Sequence, residues 1–166
     1  MKLLHAFNNV IAKIEFGLVL IIGSTMIILA FLQIILRNFF GTSITWADIL
    51  LRHLVLWVGF LGASLATRDK RHINIDVFSR MFPSSVTSIA NILTNAFAAV
   101  ICYFLMQASI GFIRMEREMG STLFANVPVW IAESIIAIGF GLMTIRFAIN
   151  MVDSIFMCVK PARERA

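Results

Sequence analysis

Four long apolar windows decide what this chain can fold into. Phe16–Leu36 and Val86–Ile113 contain no charged residue. Ile49–Ala66 is interrupted only near its ends, by Arg52, His53 and Ser64, and Val127–Ile149 carries no charge but Glu133 and Arg146. A helix needs about 20 residues to cross a hydrocarbon layer of about 30 Å, so each window is a candidate span. Lipid offers no partner to backbone N–H and C=O groups, which restricts spanning segments to helices or closed barrels. Barrel strands alternate polar and apolar positions, whereas these windows are continuously apolar. The expected fold is therefore an all-α membrane protein, one membrane domain over residues 1–166, with spans at about 16–36, 49–66, 86–113 and 127–149. Composition agrees: 60% of residues are hydrophobic and 14% charged, where soluble domains carry about 25% charged residues. A chain of 166 residues has no single core large enough to hide so much apolar surface from water.

The first window follows the basic opening "MKLLHAFNNVIAKIE", which has the look of a secretory leader. Its apolar stretch exceeds the usual 7–15 residues of a leader, and "LQIILRNFF" stands where a small-residue cleavage pattern belongs. A retained span is expected.

Lys and Arg counts orient the four helices. Lys2, Lys13, Arg68, Lys70, Arg71, Arg80, Arg146, Lys160, Arg163 and Arg165 fall on one side, and Arg37, Arg52, Arg114 and Arg117 on the other. The side richer in positive charge is the cytoplasmic one, which places both termini inside. The net charge of +5 then reflects topology and anionic headgroups rather than a nucleic-acid partner. Trp46 and Trp130 open the second and fourth spans at the outer interface, where amphipathic rings anchor. In "TWAD", Thr45 and Asp48 have the spacing of a helix-capping pair. Between spans two and three, Ile75, Phe78 and Phe82 recur at helical spacing, with Val77 and Met81 beside them and Asn74, Asp76, Ser79 and Arg80 opposite. That pattern predicts a short amphipathic helix over about 73–82, lying in the interface and ended by Pro83. Phe78 and Phe82 would enter the acyl chains while Arg68, Lys70, Arg71 and Arg80 meet phosphates.

Catalytic chemistry finds no footing. His5, His53 and His72 lie at different depths with no completing Cys or carboxylate, so neither a metal site nor a haem is expected. No nucleophile–base arrangement or phosphate-binding Gly loop is present, which argues against an enzyme and against any cofactor. Cys102 falls in mid-span three and Cys158 beyond span four, too far apart to pair. Ionisable residues within spans carry a default functional suspicion. Asp48 and Arg52 have the i,i+4 order of a helical ion pair, or Arg52 faces a partner helix. Glu133 is the candidate proton or cation site of a self-contained transporter acting as a homo-oligomer. Arg146 is expected to snorkel to the inner headgroups. Gly59 and Ala63, with Gly62 and Ala66, repeat at a four-residue spacing that permits close helix approach, and Asn91 and Asn95 share a face in span three. Both sets suit internal packing as well as a partner interface.

The stretch Trp46-Ala-Asp48-Ile-Leu-Leu-Arg52, then Trp57, Gly59, Gly62, Ala63, Arg68 and "HINIDVF" with His72 and Asp76, resembles the small membrane subunit of tripartite ATP-independent periplasmic (TRAP) transporters. One departure is Ala47, where members often carry a second acid beside the one matched by Asp48. The resemblance implies a non-catalytic scaffold in a sodium-coupled importer of organic acids, of C4-dicarboxylate or sialic-acid type, in a bacterial inner membrane. A large elevator-type membrane subunit and a periplasmic binding protein are the implied partners. The substrate site would lie outside this chain, and the spans accordingly lack the broken helices and polar midplane of such a site. Arg114, Glu116, Arg117 and Glu118 charge the expected outer loop Arg114–Asn126, which with the loop Arg37–Trp46 suits a transient periplasmic contact.

Overall fold

A computed structural model describes residues 2–69 and 84–163, with side chains over 8–68 and 89–155. Four helices make up nearly all of it: α1 (Lys2–Phe39), α2 (Thr45–Asp69), α3 (Ser84–Met119) and α4 (Val129–Arg163). All four are long and apolar enough to cross a membrane. Among the described residues there is no strand, only an isolated antiparallel bridge between Thr122 and Pro128. The expected helix over 73–82 lies outside the described residues.

The helices overrun the apolar windows. At a rise of about 1.5 Å per residue, the 38-residue α1 is about 57 Å long, well beyond the hydrocarbon thickness. For α3 the overrun has a local cause: the flanking segment "RMEREM" consists entirely of good helix formers. Gly41 at φ +60° and Gly120 at φ +66° then supply the left-handed backbone that turns the chain after α1 and after α3.

Packing follows the order α1–α2–α4–α3, with α3 against α4 the most extensive pair. A close approach makes the α2–α4 contact possible. A methyl group on Gly139 would sit 2.8 Å from Phe60 Cδ1 and 3.0 Å from its Cβ, so only the bare backbone admits that ring. Phe60 also meets Phe140 edge-on, with centroids 5.2 Å apart. The resulting bundle is open. Its accessible surface is 11620 Å², against about 8,200 Å² for a compact soluble chain of the same mass. Most of the exposed large apolar residues belong to α1 and α3, including Ile21, Ile27, Ile28 and Phe31 on the first and Leu93, Phe97, Phe104 and Phe112 on the second. Surfaces of that composition are at home in lipid.

Candidate functional site

The buried core at one end of the bundle is polar. Glu15 of α1 is 3% exposed, Ser64 of α2 0% and Arg146 of α4 2%. An Arg146 Nη2 to Glu15 Oε2 contact of 2.5 Å joins the first and last helices. Ser64 Oγ donates to Glu15 Oε1 at 3.0 Å, and Arg146 Nη1 donates to the Ser64 carbonyl. One turn further, Asn150 Nδ2 donates to the Thr67 carbonyl at 3.4 Å, and Arg68 Nη2 donates to Asn9 Oδ1 at 2.6 Å. Three helices thus share one satisfied network. Charges removed from water are tolerated when paired and hydrogen-bonded in this way. The expectation that Arg146 snorkels to headgroups is therefore corrected: an acid at the same depth on α1 offers it a charged partner inside the bundle. Without Arg146 the Lys and Arg counts of the two sides are still nine against four.

At the opposite end, Gln33 Nε2 donates to Asp48 Oδ1 at 2.8 Å and reaches the Ile44 carbonyl at 3.4 Å, closing the α1–α2 turn. Asp48 therefore serves Gln33; it neither caps α2 with Thr45, where the helix already begins, nor pairs with Arg52, which is exposed. Ala47 is 1% exposed. A second acid there would be buried, which accounts physically for a small apolar residue at that position. Trp46 stacks near Phe124 at 5.6 Å, and the Arg117 guanidinium sits 5.7 Å above the Trp130 ring. Both tryptophans thus mark the same end of the bundle. Trp57 Nε1 donates to the Ala132 carbonyl at 2.8 Å, tying α2 to α4.

Arg114, Glu116, Arg117 and Glu118 fall within the last turns of α3 rather than in a loop, because that helix continues to Met119. The true connection is a tight turn over 120–128. There, Ala125 and Asn126 adopt positive φ, and Leu123 N–H bonds to the Val127 carbonyl at 2.7 Å. Arg114 and Glu118 are exposed, while Glu116 and Glu133 each bury one carboxylate oxygen that has no partner. His53 Nδ1 lies 2.8 Å from the Ile49 carbonyl of its own helix. Asn95 likewise bonds back to Asn91 within α3 rather than across helices. Lys70, Arg71, His72, Asp76, Phe78, Arg80 and Phe82 lie outside the described residues.

The small residues of α2 take the opposite direction from its polar ones. Trp57, Phe60, Ser64 and Thr67 face α4, and Ser64 also meets α1. At 100° per residue, Val55, Gly59 and Ala66 then fall on the far side, with Arg52 and Ala63 on its flank, and all five are exposed. A methyl group added to Gly59 or Gly62 would meet nothing within 4 Å. Among the described residues, then, internal packing makes no use of this stripe.

Comparison with known proteins follows the same lines. The family model described as tripartite ATP-independent periplasmic transporters, DctQ component, matches residues 26–157. A TRAP transporter small permease protein of Haemophilus influenzae is 29% identical over 133 residues, covering 74% of this chain and 81% of the relative. The C4-dicarboxylate TRAP transporter small permease protein of Pseudomonas aeruginosa is 21% identical over 87% of this chain and 84% of its own. The sialic acid TRAP transporter permease protein SiaT of Haemophilus influenzae is 31% identical over 51% of this chain, yet the match covers only 14% of that much longer protein.

Proposed function

The chain belongs to the DctQ-component family of tripartite ATP-independent periplasmic transporters, and on that premise we propose that it is the scaffold subunit of a sodium-coupled organic-acid importer. Membership makes it a multi-pass transport protein rather than an enzyme, and small permeases of this family pair with a large membrane subunit. Its own part in the reading is mechanical. An elevator needs one element that stays at fixed depth and tilt while another slides, and a wide block of anchored helices resists being dragged. Trp46 and Trp130 at one interface, and basic residues such as Arg68 at the other, favour one depth. Both termini would lie in the cytoplasm of a bacterium, with the chain in its inner membrane. A periplasmic binding protein would meet the end carrying Arg114, Arg117 and Glu118. The cargo would be a C4-dicarboxylate or a sialic acid, recognised by the other two components.

The observation that carries this reading is the outward face of α2. Lipid-facing positions on α1 and α3 are filled by Ile, Leu and Phe, but α2 presents Gly59, Ala63 and Ala66 to the same surroundings. In lipid there is no hydrophobic gain in bringing helices together, so close van der Waals approach over small residues drives their association. Trp46, Asp48, Arg52, Trp57, Gly59, Gly62 and Ala63 therefore lie on or support the helix that meets the large subunit. Replacing Gly59 and Ala63 by Leu restores a lipid-like surface and blocks that approach. Affinity purification of the large subunit should then recover little of the doubly substituted chain, while its helical content and membrane insertion stay normal. Full recovery of the variant would remove the docking reading.

A further inference from the structure

We infer that Glu15, Ser64 and Arg146 are positioning residues for subunit assembly: their network sets the rotation of α2 about its axis, so that Arg52, Gly59, Ala63 and Ala66 point away from the bundle. The inference rests on the docking reading above. A helix that is largely apolar on every side gains little from one rotation over another in lipid, because acyl chains solvate Gly, Ala, Leu and Phe alike. Directional bonds are needed to choose. Ser64 supplies two of them, donating its hydroxyl to Glu15 and accepting Arg146 at its carbonyl. The partners stand on α1 and α4, and their own 2.5 Å contact closes the triangle behind α2. On the helical wheel Ser64 lies about 140° from Gly59 and about 160° from Ala66, so fixing one side aims the other. A slip of one residue would swing Ser64 by about 100° and break both bonds at once. The Asn150–Thr67 contact repeats the restraint one turn along.

Spin labels placed singly at residues 59 to 66 of the full chain in lipid vesicles report which side of α2 meets acyl chains, through oxygen accessibility. With the native network, accessibility should peak at 59, 63 and 66. Glu15→Gln or Arg146→Met should move that peak and reduce recovery of the large subunit about tenfold. Exchanging the charges, Glu15→Arg with Arg146→Glu, keeps an ion pair but leaves the Ser64 carbonyl facing a carboxylate, so the peak should stay displaced; its return to the native positions would show that the ion pair alone sets the rotation and would overturn the role of Ser64. Should Arg146→Met fail to insert, Glu15→Gln keeps the side-chain size and carries the same readout. An unmoved accessibility peak in the single variants overturns the proposal even where their stability falls. Loss of the docking reading is separately visible: Gly59→Leu with Ala63→Leu would then leave assembly intact although the peak still responds to Glu15→Gln.

Discussion

Glu15 and Arg146 are 131 positions apart in the chain, yet their charged atoms meet at 2.5 Å inside the bundle. Removing one partner from a buried pair strands the other, at a cost of about 3–5 kcal/mol, whereas replacing both by apolar residues of similar size is often neutral. Arg146→Met should therefore lower the thermal stability of the detergent-solubilised chain far more than Arg146→Met combined with Glu15→Leu. Equal losses would show that the contact contributes packing rather than charge pairing. Gly139 offers an independent check. A methyl group there collides with Phe60, and overpacking of this kind costs about 1–3 kcal/mol. Gly139→Ala should destabilise the chain and Phe60→Leu should relieve part of the loss, as measured by thermal unfolding. The tryptophan positions were visible in the sequence; the partner of Arg146 was not. A signal for it existed, since Glu15 immediately precedes the first apolar window and the alternating spans bring it to the same end as Arg146. Reading each window alone conceals a bond made between windows.

Helices α1 to α4 correspond one to one with the apolar windows, because about twenty continuously apolar residues in lipid satisfy their backbone as a helix. Their ends were less legible. Hydropathy marks where lipid stops, whereas a helix stops where a glycine turns left-handed or the backbone finds other partners, as at Gly41 and Gly120. That difference moved Arg114, Glu116, Arg117 and Glu118 from a presumed loop onto the end of α3. The four-residue spacing of Gly59 and Ala63 was equally plain in the sequence, but spacing does not reveal which side of a helix remains open. The exposure of Arg52 on the same stripe leads to a comparison at this scale. Arg52→Ala should weaken retention of the large subunit, while Arg163→Ala, near the end of α4, should leave it unchanged in the same purification. Equal retention by both variants would detach Arg52 from the interface.

The described residues form an open block of four long helices with lipid-like flanks, a polar lock at one end and aromatic anchors at the other. Its most unusual acids, Glu116 and Glu133, each bury an unpartnered oxygen near the anchored end, and a self-sufficient transporter would need such groups for its ion. A scaffold does not. Glu133→Gln should accordingly leave the initial rate of uptake by the complete transporter within about twofold of the native rate, corresponding to about 0.4 kcal/mol in barrier height. The central claim is that this chain supports transport without conducting it. Reconstitution into vesicles with an imposed sodium gradient tests that most directly, using the chain alone, the large subunit alone, and both together with the binding protein. The account predicts accumulation of an organic acid only when all three components are present. Sodium-driven uptake by vesicles containing this chain as their sole membrane protein would contradict it.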